Sequence, residues 1–113
     1  MILSILKVVG VAGTIIIGVV ALVRPTAVVG FTGLRPEGGR GITEIRAVLG
    51  ALFIGLGAAP LLIGAPAAYQ TLGIGYLVTG AVRAVSMFVD RSVVASNTIS
   101  VAWEIAFGLV LVL

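Results

Sequence analysis

Four tracts of roughly 20 mostly apolar residues run through this chain, and that is the length an α-helix needs to cross the hydrocarbon core of a bilayer. Residues 1–23 form the first, broken only by Lys7. Residues 44–63 form the second. Residues 67–89 form the third, interrupted by Arg83 and a few small polar side chains. Residues 98–113 form a shorter fourth, with Glu104 inside it. The expected fold is therefore all-α: a four-transmembrane-helix bundle that makes residues 1–113 one integral membrane domain.

Composition agrees with this class and removes several functions. The chain is 60% hydrophobic and 10% charged, whereas soluble domains run at about 45–50% and about 25%. It has no His and no Cys. Disulfides, Cys or His metal sites, and His-ligated haem or chlorophyll are excluded, and no cofactor is expected. The usual nucleophile–base pairs need one of those residues, so an enzyme is not expected either. The net charge of +3 is sparse and scattered, which does not suggest a nucleic-acid partner.

The boundaries have local reasons. Arg24-Pro25 ends the first helix, because proline cannot continue the hydrogen-bond ladder, and Pro25 can open a new helix as its first residue. Residues 26–34 are apolar enough to form a short helix in the membrane interface after helix one. Residues 35–41, reading RPEGGRG, read as an aqueous loop. Its glycines lack the spacing and the preceding strand of a phosphate loop. Thr43 is then the expected N-cap of helix two, with Glu44 at its positive end. Gly64-Ala65-Pro66 makes a tight turn into helix three, and Asn97 is the expected N-cap of helix four. The first residues lack the basic start and cleavage site of a signal peptide.

Four crossings put both termini and the Gly64 turn on one side of the membrane. Arg24, Arg35, Arg40 and Arg91 lie in the loops of the other side. The positive-inside rule then makes that side cytoplasmic and leaves both termini outside, with Lys7 opposing.

The charges within the spans sort by depth. Glu44 and Arg46 open helix two. Arg83 lies seven residues before Asp90, and Glu104 seven residues after Asn97. At 1.5 Å per residue both sit on the order of 10 Å inside their helix ends, level with each other. Residues three, four and seven apart share a helix face. Thr79, Gly80, Arg83, Ser86, Met87 and Asp90 make one small and polar stripe; Asn97, Ser100, Glu104 and Gly108 make another. Arg46 shares a face with Gly50 and Gly57, and Ser4, Lys7, Gly10, Thr14 and Gly18 line up on helix one. Small residues mark faces where membrane helices approach closely, so these charges are expected to point inward. An unpaired charge in hydrocarbon costs several kcal/mol, and Glu44, Arg46, Arg83 and Glu104 sum to zero. The expectation is an Arg83–Glu104 pair, with Glu44 and Arg46 completing an ionic cluster. Glu44 and Arg46 lie about 200° apart around the helix, so their partners must come from elsewhere.

Glu44-x-Arg46-Ala47 with Gly50, an apolar hairpin, an arginine late in helix three and an acidic residue in helix four together resemble a bacterial family of small four-helix membrane domains of unknown function. That family is loosely similar to the DoxX-like group. The resemblance spans nearly the whole chain and implies a four-helix fold in a bacterial cytoplasmic membrane. It supplies no activity. By position, Glu44, Arg46, Arg83 and Glu104 are its polar signature.

The ionic cluster has two readings: a lock that fixes helix order and register, or a proton, ion or ligand site. Charge balance and the lack of a His relay favour the lock. Lys7 reads as a snorkelling residue, and Trp103 and Tyr69 as belt or packing residues. Tyr76 falls near the polar face of helix three. The favoured role is an accessory or scaffold subunit of a larger membrane complex, respiratory or photosynthetic among the options, with lipids and other membrane subunits as partners. The alternative is a small homo-oligomeric transporter or channel that uses the Arg/Glu cluster. Small multidrug exporters carry their key carboxylate in helix one, where this chain has only Lys7. A membrane enzyme or quinone helper has no motif behind it.

Overall fold

The computed structural model describes residues 1–113 and contains helices and no strands. In chain order these are α1 (Ile2–Val23), a 3-10 turn (Pro25–Val28), α2 (Val29–Thr32), α3 (Gly38–Glu44), a π-helical segment (Ile45–Leu52), α4 (Phe53–Ile63), α5 (Pro66–Val89) and α6 (Ala95–Val112). The segments from α3 to α4 run on as one helix, Gly38–Ile63. Four helices are thus long and apolar enough to cross a membrane, the mark of a multi-pass membrane protein. The chain divides into two compact units, residues 11–64 and residues 1–10 with 65–113.

In the unit of residues 11–64, α1 stops where Pro25 removes an N–H, and Pro25 opens the 3-10 turn as expected. The short helix α2 follows and ends at Gly33, whose φ of 74° places it in the left-handed region. Phe31 and Leu34 stay exposed there. The second long helix begins at Gly38, six residues before the expected start at Glu44. The glycine-rich RPEGGRG stretch is therefore only partly loop. A Cβ at Gly41 would lie 2.8 Å from Pro36 Cα, so the incoming chain folds back where only glycine leaves room. The Arg40–Glu44 pair, four residues apart, adds support to this early turn. Thr43 is consequently inside the helix and caps nothing; Glu37 holds the N-cap position.

The face predicted for Arg46, Gly50 and Gly57 is the one that meets α1 in this unit. A Cβ at Gly50 would lie 3.0 Å from Leu22 N, and one at Gly57 2.8 Å from Ile15 Cγ1. From the other side, a Cβ at Gly18 would lie 2.7 Å from the Gly50 carbonyl oxygen. Backbones this close leave no space for side chains, which is the packing small residues provide in membrane helices. Gly64, at φ 72°, ends α4, and Pro66 starts α5 at the turn the sequence predicts.

In the other unit, α5 and α6 form a hairpin. α5 ends in a Schellman motif: the Ser92 N–H donates to the Met87 carbonyl, with Arg91 between them at φ 51°. Glycine is the usual occupant of that position, since a side chain there costs roughly 1–2 kcal/mol. The hairpin closes on interlocking glycines. A Cβ at Gly73 would lie 2.9 Å from the Gly108 carbonyl oxygen, and one at Gly108 2.7 Å from Leu77 Cδ2. Leu111, whose Cβ lies 2.9 Å from where a Gly73 Cβ would stand, is fully buried at this contact. Gly10, in the first half of α1, leaves room for Phe107, whose Cδ1 lies 2.8 Å from where a Cβ would stand. The Phe107 ring packs against Trp103 at 4.2 Å between centroids. Trp103 is thus a packing residue, although its indole N–H is buried without a partner. The Lys7 ammonium stands 5.8 Å from the centre of the Tyr69 ring, near the limit for a cation–π contact.

Candidate functional site

α6 starts at Ala95, three residues earlier than expected, with Val94 in the N-cap position and no side chain capping it. Asn97, the expected cap, is instead the third residue of the helix. Its Nδ2 donates to the Ser92 carbonyl at 2.9 Å, tying α6 to the turn that ends α5. Its Oδ1 is left facing α5 and accepts from Arg83 Nη1 at 3.1 Å.

Arg83 and Glu104 meet as the depth argument predicts. Arg83 Nε donates to both carboxylate oxygens of Glu104, at 2.9 and 3.0 Å, and Nη2 lies 2.8 Å from Oε1. Glu104 is nearly sealed, with 7% of its side chain exposed, whereas Arg83 keeps 35%. The two residues project from equal depths of antiparallel neighbours, so seven-residue offsets from Asp90 and from Asn97 bring them opposite each other. In so apolar a setting the guanidinium at hydrogen-bond distance is the partner that offsets the cost of burying the Glu104 carboxylate. Asn97 fixes the far side of the guanidinium, so the site is a chain of contacts from Ser92 through Asn97 and Arg83 to Glu104.

Glu44 and Arg46 take other partners, each within residues 11–64. Glu44 pairs with Arg40 at 2.6 Å on an exposed face. Arg46 Nε donates to the Leu22 carbonyl at 3.2 Å. That carbonyl belongs to the last turn of α1, where carbonyls lack intrahelical donors and a cation is favoured. Arg46 is therefore a cap for another helix. The π-helical turn around it is the feature the sequence did not announce; such wide turns recur at functional positions and are otherwise rare.

Beside the Arg83–Glu104 pair lies an open groove of about 460 Å³. Val78 and Val82 line one stretch of it, and Arg83, Ser86, Ser92 and Asn97 the rest of its polar length. Ser86 and Met87 were placed on this stripe by helical spacing. Ser92 was not, because it lies in the turn, outside any periodicity. Comparison with protein-family models, with curated proteins and with solved structures finds no match for this chain.

Proposed function

We propose that this chain is an accessory or scaffold subunit of a larger membrane complex. The observation that carries the reading is the closure of the one buried carboxylate. Both oxygens of Glu104 accept from the same guanidinium, which Asn97 holds from its other side. A proton or cation carrier needs a carboxylate that exchanges its partner, and this one is tied on both oxygens. The rest of the molecule offers apolar surface: Val78, Val82, Val85, Phe88 and Val89 on α5 are all more than half exposed. Such a face suits lipid and neighbouring helices. We place the chain in a bacterial cytoplasmic membrane with both termini outside, so that Arg24, Arg35, Arg40 and Arg91 lie on the cytoplasmic side.

The test is the native mass and composition of the protein extracted gently from its own membranes. Co-migration with larger subunits at a fixed ratio supports the reading, and those partners then identify the complex. A lone chain or a small homo-oligomer overturns it. The transporter alternative draws on one observation, the open groove beside the partly exposed Arg83. It requires Glu104→Gln to abolish flux while leaving assembly intact, whereas a scaffold loses assembly.

A further inference from the structure

Arg83 has more donors than the protein uses. A guanidinium carries five N–H groups. Nε–H is taken by Glu104, one N–H of Nη2 faces Glu104, and one of Nη1 faces Asn97. Three of five are engaged, which leaves two. Arg83 lines the groove and keeps a third of its side chain exposed. Ser86 and Ser92 line the same groove, and their hydroxyls join none of the side-chain hydrogen bonds around it. Asn97 closes this polar end. Arg83, Ser86 and Ser92 thus bring unspent donors to one opening, while Asn97 already spends its amide on the Ser92 carbonyl and its Oδ1 on Arg83, and Thr79 donates to the Gly75 carbonyl.

The placement of the groove specifies its occupant. α5 has 24 residues, which makes it about 36 Å long against a hydrocarbon core of about 30 Å. Its last turn and the Asp90–Ser92 turn therefore reach the headgroup layer. The groove runs from Ser92 and Asn97 at that level to Val78, on the order of 16 Å deeper. Polar donors stand at the headgroup end, and exposed Val78 and Val82 at the deep end, where the Thr79 hydroxyl is turned to its own helix at the Gly75 carbonyl. Nearby full charges cancel: Arg83 against Glu104, and Arg91 against Asp90 in the turn. The site thus recognises acceptor oxygens and makes no demand on the net charge of the headgroup.

We propose that this groove seats one membrane phospholipid, its phosphodiester oxygens accepting from Arg83, Ser86 and Ser92 and an acyl chain lying along Val82 and Val78. The inference needs the helices to be in a membrane; it holds equally for a subunit of a complex and for a lone chain.

The test uses the full-length protein, stripped of lipid in detergent and titrated with phosphatidylglycerol, read by native mass spectrometry. One lipid per chain is expected to bind saturably, with diacylglycerol, which has the chains and no phosphate, failing to do so. The double variant Ser86→Ala/Ser92→Ala keeps the Arg83–Glu104 pair and is expected to bind about tenfold more weakly, the loss that follows from weakened hydrogen bonds to a charged group. Ser4→Ala, on α1 and outside the groove, is expected to match the unaltered protein. Equal binding by the double variant, or by diacylglycerol, overturns the proposal, because either makes the lipid a non-specific coat. Displacement of the lipid by millimolar inorganic phosphate overturns it as well, by making the groove a free-phosphate site. None of these outcomes depends on whether larger subunits co-purify, so this inference and the scaffold reading fail separately.

Discussion

Arg40 and Glu44 approach to 2.6 Å, and Arg83 and Glu104 to 2.8 Å. By distance alone the first pair is the tighter. Their surroundings reverse that order. Arg40 and Glu44 keep 79% and 57% of their side chains exposed and sit one turn apart on a single helix. Arg83 and Glu104 keep 35% and 7%, and they join two helices across 21 residues of chain. In water a pair at this distance is worth little, because solvent screens it and holding two long side chains still opposes it. In an apolar interior the sealed Glu104 carboxylate has no solvent to return to, so it is bound to Arg83 by the cost of standing alone. An ion pair's length therefore says little about its weight; what matters is what each partner would face without it.

The largest effect expected is on the buried pair. Arg83→Ala leaves Glu104 sealed with a bare charge, and Glu104→Ala leaves the guanidinium in its place. Each single change is expected to destabilise by about 3 kcal/mol, the low end for a broken buried pair because Arg83 is a third exposed. The double change to alanine should hurt less than either alone. Unfolding midpoints in detergent, combined as a double-mutant cycle, measure the coupling. Strict additivity of the two single changes would break the comparison, since it would make the inner pair behave like the outer one.

The same hairpin offers a sharper contrast between two glycines one short step apart. At Gly73 an added Cβ meets the Gly108 carbonyl oxygen at 2.9 Å, a backbone atom that cannot rotate away. At Gly75 it meets nothing within 4 Å. Gly73→Ala is expected to force α5 and α6 apart at about 1–3 kcal/mol. Gly75→Ala is expected to be neutral or to stabilise by up to about 1 kcal/mol through helix propensity. Thermal melts of the two variants side by side decide it, and equal destabilisation would mean that the helices are not packed on that face.

The first of those tests rests on a feature legible in the sequence, whereas the Gly73–Gly75 contrast comes from the packing alone. Apolar length placed all four long helices, and seven-residue spacings placed Arg83 opposite Glu104. Both follow from helix geometry, which is periodic. What was missed lies where periodicity stops. The Gly38 start of the second long helix depends on Pro36 folding back onto Gly41, a contact with no spacing rule. Asn97 looked like a cap by residue type, yet Val94 takes the cap position, and the Asn97 amide serves the Ser92 carbonyl and Arg83. The π-helical turn at Ile45–Leu52 was missed too, because nothing in that apolar stretch distinguishes it from an ordinary helix. Charge balance alone put Glu44 and Arg46 with the inner pair. Within residues 11–64 the partners they take are Arg40 for Glu44 and the Leu22 carbonyl for Arg46.

Arg46 falls between the two pairs in expected weight. It is exposed, and it donates to the Leu22 carbonyl across 24 residues of chain. Arg46→Gln keeps a donor and much of the length but loses the charge that the end of α1 favours. A loss of about 1 kcal/mol is expected, within the range for a charge at a helix terminus. Hydrogen exchange at the last turn of α1 should report it, with faster exchange confined there. No change would leave Arg46 a surface residue that happens to point at a carbonyl.

The smallest effect is reserved for the shortest ion pair. Arg40→Ala and Glu44→Ala are each expected to cost no more than about 0.5 kcal/mol, the usual worth of an exposed pair four residues apart on a helix. Salt separates this pair from the inner one more cleanly than stability does. Screening at 1 M salt acts over about 3 Å, so whatever Arg40→Ala costs at low salt should shrink there. The penalty of Arg83→Ala should persist, because ions that reach Arg40 and Glu44 do not reach a carboxylate with 7% of its side chain exposed. Melts of both variants at low and high salt test this directly. If the two penalties fade together, Glu104 is open to water, and the scaffold reading loses the closed carboxylate on which it stands.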